Sequence, residues 1–311
     1  MEGVMMKNAD KYAVAVRKTD GSIEIKTEEY HSLVKNKNLS SLPIIRGVVN
    51  FIDSMVLGMS TLTYSASFFM EEEEEPGILD KAADKVTKGK GESLMMGLTV
   101  AFSIVMAVAL FMVLPYFLSR FFERFTESVT VLTLLEGAVR LGIFFAYILL
   151  ISRMEDIQRV FMYHGAEHKC INCIEHGMEL SVENVLKSSR LHKRCGTSFL
   201  FLVMIISIIF FLFIRIESPI WRLTFRLILI PVIAGVSYEF IRLAGRSENR
   251  LVSLLSVPGM CLQKLTTREP EADMAEVAIA SVEAVFDWKA YLKENFGTEF
   301  PDEEKTCDTG K

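Results

Sequence analysis

The stretch from Ser93 to Ser119 contains no charged residue, and nothing else in the chain limits its fold as strongly. A helix of that length, at 1.5 Å per residue, crosses a hydrocarbon core of about 30 Å. Three further apolar stretches follow, at about Val129–Ser152, Gly196–Ile214 and Ile220–Leu243. Four such segments predict a mainly α, polytopic membrane helix bundle of about four spans. Among 311 residues, 22 Phe and 16 Met are many for a water-soluble domain, and a formal net charge of -5 offers no broad basic surface. Membrane lipid is therefore an expected partner and nucleic acid is not. Met1–Asp10 lacks an apolar run and a cleavage site, so no signal peptide is expected and insertion is expected from the spans themselves.

Orientation is read from the loops. The segment between the second and third spans carries Arg153, Arg159, Lys169, Lys187, Arg190, Lys193 and Arg194, whereas the opposite side offers Arg120, Arg124, Arg215 and Arg222. The positive-inside rule puts that segment and both termini on the cytoplasmic side.

The organisation around the spans is predicted as follows. Residues 1–43 form a cytoplasmic region with a small β-hairpin, because Tyr12-Ala-Val-Ala-Val-Arg-Lys18 and Ser22-Ile-Glu-Ile-Lys26 alternate across the turn signal Thr19-Asp20-Gly21. Residues 44–92 hold an amphipathic helix and an acidic linker. Arg46, Asn50, Asp53, Ser60 and Ser67 draw one polar stripe there, so the helix is expected on the membrane surface or the bundle, with a fifth span as the competing reading. Residues 93–152 contain spans one and two, 153–195 a His/Cys loop, and 196–243 spans three and four. Residues 244–311 contain a surface helix, Arg250–Thr266, broken at Pro258-Gly259, then an acidic tail with a short helix at Ala272–Phe286.

Two spans carry charge. Glu136 and Arg140 are i,i+4 on one face, and Arg226 and Glu239 are expected to pair across helices or to reach the interfaces. Charges at such depth normally face the bundle interior. A polar cavity, with Glu239 as a distal carboxylate ligand, is the alternative to plain pairing. Transport through Glu136, Arg140 and Glu239 is a weaker reading, since no paired repeats appear.

The chemistry concentrates in Tyr163-His-Gly-Ala-Glu-His-Lys-Cys-Ile-Asn-Cys-Ile-Glu-His176 and Leu191-His-Lys-Arg-Cys-Gly-Thr197, which hold four of the five histidines and three of the five cysteines. His164 and His168 stand at i and i+4, so a helix brings their imidazoles to one face. His164-Gly-Ala-Glu167-His168 also fits H-x-x-E-H, in which two histidines bind zinc and the glutamate is the general base. The pattern is short, and two interfacial histidines without a metal are the bland alternative. Two ligand sets compete. Cys170, Cys173, His192 and Cys195 have the spacing of a closed, structural zinc site. His164 and His168, with His192 or a carboxylate, make an open three-ligand site with Glu167 beside it.

These residues, with Glu2-Gly-Val-Met-Met6, Ala13-Val-Ala-Val-Arg17, Arg46-Gly47, Glu136-Gly137, Arg190-Leu-His192, Arg194-Cys-Gly-Thr-Ser-Phe199, Tyr238-Glu239 and Gln263-Lys-Leu-Thr-Thr267, resemble the YqhQ-like family of bacterial membrane proteins over nearly the whole chain. The resemblance implies a bacterial plasma-membrane protein from a domain family of unknown function described as predicted metal-dependent enzymes. It implies no known reaction. The family position of Cys170 is usually not cysteine, so the resemblance favours His164, His168, His192 and Cys195 as the metal ligands. A Gly-Gly-Gln-Ala stretch that usually precedes Glu2 in the family is not found here, and a start upstream of Met1 is expected from it.

The expected activity is metal-dependent hydrolysis at the membrane surface, with Glu167 as the catalytic base. His164, His168, His192 and Cys195 are the expected ligands of a divalent metal, zinc first. The alternative is a non-enzymatic membrane scaffold with a structural zinc loop. The substrate, and whether the partner is another protein or a second copy, stay open.

Overall fold

The computed structural model describes residues 2–34, 42–69, 91–193, 195–214, 216, 218–245 and 249–300. Most of the acidic linker, the tail beyond residue 300, Arg194 and Arg215 lie outside the described residues. In chain order the elements are β1 (Gly3–Asn8), β2 (Lys11–Arg17), β3 (Ile23–Glu29), α1 (Ile45–Ser67) and α2, which begins as Gly91–Val108, passes a π turn at Ala109–Val113 and ends as Leu114–Arg120. Then come α3 (Val129–Ile151), α4 (Glu155–Glu175), α5 (Val182–Lys187), α6 (Gly196–Phe213), α7 (Pro219–Ala244), α8 (Arg250–Thr266), α9 (Ala272–Glu283) and α10 (Trp288–Phe296). They fall into two compact units, one of residues Met1–His31, Gln158–His192 and Thr267–Lys311, the other of Ser32–Ile157 and Lys193–Thr266.

Among the described residues the second unit holds four helices long and apolar enough to cross a membrane: Gly97–Arg124, Val129–Ile151, Gly196–Phe213 and Ile220–Ala244. They match the four predicted spans to within a few residues. Their buried charges assemble around one carboxylate. Glu136 Oε1 accepts from Arg140 Nη2 at 2.9 Å and from Arg226 Nη1. Arg140 further donates from Nη1 to Ser207 Oγ at 3.1 Å and from Nε to the Phe111 carbonyl at 2.9 Å. That carbonyl is available for a local reason. Pro115 has no N–H to return to Phe111, four residues earlier, and the helix opens there into the π turn. Four spans thus meet on one ion network, closed by the Phe211 ring, whose centroid lies 5.0 Å from the Arg140 guanidinium and 4.7 Å from that of Arg226.

Arg226 and Glu239 do not pair with each other. Glu239 is engaged by Arg46 through both carboxylate oxygens. Asn50 donates to Tyr238 Oη at 2.7 Å, and the buried Asp53 accepts from Ser32 Oγ at 2.6 Å and from the Leu33 N–H at 3.1 Å. The first half of the predicted polar stripe of α1 is therefore a packing face, while Ser60 and Ser67 are exposed. Gly47 and Gly235 make the approach of α1 and α7 close: a Cβ on Gly47 would sit 2.9 Å from the Gly235 Cα. The predicted break at Pro258-Gly259 is absent, and α8 runs through it. Packing overrides the proline, since Gly259 lies against Ser198 and the fully buried Gln263 donates to Ser198 Oγ at 2.8 Å.

In the first unit the predicted hairpin is present as β2 and β3, and β1 adds a third antiparallel strand with Gly3 opposite Val16. Tyr12 to Val16 are all buried, because α9 packs on the sheet. The Ser281 hydroxyl of α9, wholly buried, donates to Ala13 O at 3.1 Å and Val4 O at 3.3 Å. The core continues through Tyr163, Ala166, Val185, Met274, Trp288 and Leu292. At its edge Glu2 accepts from Arg159 and, at 2.8 Å, from Tyr163 Oη. Burial pushes the Glu2 carboxyl up, but the hydrogen bonds from Arg159 and Tyr163 outweigh it and hold it below its usual 4.5.

Two outcomes are expected. Glu136→Gln removes the charge that two buried arginines share and should cost ~3–5 kcal/mol, read as a lower unfolding temperature in detergent. A folded-state pKa below 4.5 means that Glu2 stabilises fully above that pH and loses its contribution as pH falls through the folded value. Glu2→Gln should therefore cost at most about 1 kcal/mol near neutrality, the pair being partly exposed, and nothing in acid; thermal melts across pH check both limits.

Candidate metal centre

Helix α4 carries the motif on a face decided by its neighbours. At Gly165 it passes so close to the backbone of Arg268 that a Cβ would stand 2.0 Å from the Arg268 carbonyl oxygen. The Arg268 N–H donates to Phe161 O at 2.9 Å, so the glycine of His-Gly-Ala-Glu-His is there for a backbone crossing. Cys170 and Cys173, one turn and two turns on, belong to the hydrophobic core with Tyr163 and Ala166. Burial pushes both thiols up, and Cys173 Sγ donates to the Glu179 carbonyl at 3.3 Å. A protonated core thiol is a poor metal ligand.

The histidines fall on the other side of the helix. The His164 and His168 rings are 4.4 Å apart between centroids, and His168 and His192 are 5.9 Å apart. His168 Nδ1 lies 2.7 Å from the Arg190 carbonyl oxygen. A carbonyl only accepts, so Nδ1 carries the hydrogen, and Nε2 of the neutral ring is left as the ligating atom. His164 and His168 thus offer two imidazoles on one face of the first unit, whereas Cys195, the other expected ligand, belongs to the second unit. Cys195 caps α6, accepting from the Thr197 N–H at 3.4 Å. Two imidazoles one turn apart on a helix can share a metal.

His192 is brought beside His168, but its Nε2 lies 3.2 Å from Glu175 Oε2. His176 Nδ1 is 2.7 Å from the Asn172 carbonyl of its own helix. Glu167 is half-buried, three residues from His164 on an adjoining face. Glu239, considered above as a distal ligand, is engaged by Arg46 instead.

Two residues in the centre escape sequence reasoning. Lys169, 3% exposed, donates from Nζ at 2.8 Å to the carbonyls of Leu186 and Ser188 and pairs with Glu269 at 2.8 Å. Asn172 donates to Ser189 O at 2.6 Å and Leu191 O at 3.0 Å. With His168 on Arg190 O, one helix face captures the backbone of residues 186–191 at five carbonyls. The available signal was position: Lys169 and Asn172 flank Cys170 on a helix whose neighbours are core, but composition marks a lysine as solvated.

Comparison with known proteins bears on the same residues. Residues 42–288 match the family described as "Protein of unknown function (DUF1385)". The chain belongs to the DUF1385 family. It is 33% identical over 298 residues to "Uncharacterized protein YqhQ" of Bacillus subtilis (strain 168), covering 95% of this chain and 93% of that one. No solved structure gives a significant match. The DUF1385 match takes in α4, the captured loop and Cys195 together.

Lys169→Met leaves the Leu186 and Ser188 carbonyls without their charged donor. It should cost roughly 1.5–3 kcal/mol locally, with faster amide exchange across residues 186–191 and little change in the spans.

Proposed function

We propose that this DUF1385 chain is a metal-dependent hydrolase of the bacterial plasma membrane, with its metal loop and both termini on the cytoplasmic side. The observation that carries the reading is the fixed His168: its Nδ1 is held on the Arg190 carbonyl, which leaves Nε2 as the ligating atom of a ring packed against His164. His164 and His168, with one further ligand, would make a three-ligand site and leave a position open, the pattern of a catalytic rather than a closed structural site. The loop, moreover, is already held by Lys169 and Asn172, so it has no need of a metal to keep its shape. When bound there, a divalent ion, zinc first, supplies Lewis-acid activation of water.

The chain's own residues supply the rest. Glu167 is the general base, receiving the water's proton on a carboxylate oxygen. His192, with Glu175 on its Nε2, stands beside His168. The Arg and Lys excess of the loops is the basis for the orientation.

The metal is expected at about one per chain in protein purified in mild detergent, as elemental mass spectrometry reads it. It should be lost in His164→Ala and kept in Cys170→Ala. Glu167→Gln should keep the metal and lower turnover of chromogenic esters or phosphoesters by about 10²–10⁴. A folded wild-type protein that takes up no metal on reconstitution ends the proposal.

A further inference from the structure

The four spans of the second unit do not close on one another completely. A cavity of about 350 Å³ lies among them, with Phe111 of α2, Phe144 of α3, Phe211 of α6 and Ile233 of α7 in its walls. Arg140 and Ser207 border its inner end, but both spend their polar atoms within the protein. Arg140 donates from Nε to the Phe111 carbonyl, from Nη1 to Ser207 Oγ and from Nη2 to Glu136. Ser207 Oγ in turn donates to the Met204 carbonyl at 2.7 Å. What these residues show to the cavity is almost wholly apolar. A buried water needs two to four polar partners, which these walls do not offer. Left empty, a space of this size forfeits packing contacts on every side.

The lining runs along the spans. It reaches from Arg140 to Ile148 on α3, about 12 Å, and from Leu200 to Phe211 on α6, about 16 Å, at 1.5 Å per residue. At about 30 Å³ for each water-sized or methylene-sized unit, the volume holds roughly twelve. Phe144, Ile148, Phe211 and Ile233 are buried, whereas Tyr147, Leu200 and Ile230 are 42%, 45% and 40% exposed. The exposed members mark a lateral opening onto the outer, lipid-facing side of the spans. Tyr147 stands one turn before the end of α3, and Leu200 one turn after the start of α6. That end of the cavity therefore lies roughly 6 Å from the ends of two spans, just beneath one membrane surface. A hydrocarbon chain can hang from that surface and descend into the cavity toward the ion network.

We propose that this cavity seats one extended acyl chain of a membrane lipid, which enters beside Tyr147 and Leu200 and ends against Arg140, Ser207 and Phe211. The walls hold the chain by apolar contact alone. Photolabelling of the full chain in lipid nanodiscs tests this, with phosphatidylcholine carrying a diazirine near one chain end as the probe and peptide mass spectrometry as the readout. Label should concentrate on Phe144, Met204 and Phe211 of the cavity over Leu149 and Ile209, which are exposed outside it, and should saturate as the probe fraction rises. Val203→Trp fills the cavity and should lower labelling there at least about tenfold, the equivalent of two buried methylenes, while Ile209→Trp leaves it unchanged. If Val203→Trp does not fold, Leu200→Trp at the exposed mouth decides. Equal labelling of cavity and exposed residues, label that rises without saturating, or cavity labelling that survives Leu200→Trp overturns the proposal. So does displacement of the label by a polyprenol but not by unlabelled phosphatidylcholine, which would assign the cavity to a branched chain.

Discussion

A single carboxylate, Glu136, sets the terms for the membrane-embedded unit. In an apolar span an ion must bring its own solvation, and here that solvation is drawn from other helices: Arg140 of the same helix, Arg226 of α7, Ser207 of α6 and the Phe111 carbonyl of α2. The arrangement fixes register as well as proximity. Sliding α7 by one turn, about 5.4 Å, would strand Arg226 in hydrocarbon and leave Glu136 with one partner. Apolar packing alone is permissive about such slips, whereas the network admits one alignment.

The first unit solves a different problem by a related device. Its chemistry-bearing helix, α4, divides its faces between a core that buries Cys170 and Cys173 and a polar edge that offers His164 and His168. The loop opposite that edge is held through its carbonyls, one of which also determines which nitrogen of His168 carries the hydrogen. Loop capture and ligand orientation are therefore one construction. A change that loosens residues 186–191 alters the imidazole's tautomer and direction even though it touches no ligand.

Much of this was legible in the residues. The spans follow from uncharged runs too long for a globular core, the β2–β3 hairpin from alternation around Thr19-Asp20-Gly21, and the i,i+4 histidines from helical spacing. What escaped was specified by tertiary contact. Strand β1 is too short and too mixed to announce itself, and it pairs because β2 offers an edge. Pro258 reads as a breaker because the pull of Gln263 on Ser198 cannot be seen in a local window. The partner of each buried charge was hidden for the same reason: spacing along one helix finds Glu136–Arg140, whereas Arg226–Glu136 and Arg46–Glu239 depend on which helices adjoin. The centre divides likewise. Its histidines and cysteines stand out by type, while Lys169 and Asn172 matter through an orientation that the sequence does not display.

The π turn at Ala109–Val113 has a bearing on how the first span can vary. A turn closed one residue wider is equivalent to a single-residue insertion absorbed without a break. It rotates everything after it by about 100° relative to a regular helix, at 3.6 residues per turn. Deleting one residue there would restore regular winding and turn the Tyr116 and Phe117 side of the helix away from Arg222 and Arg226. Length polymorphism in this span is therefore a change of phase, and two chains with equally apolar first spans, one residue apart, would present different faces to the same arginines.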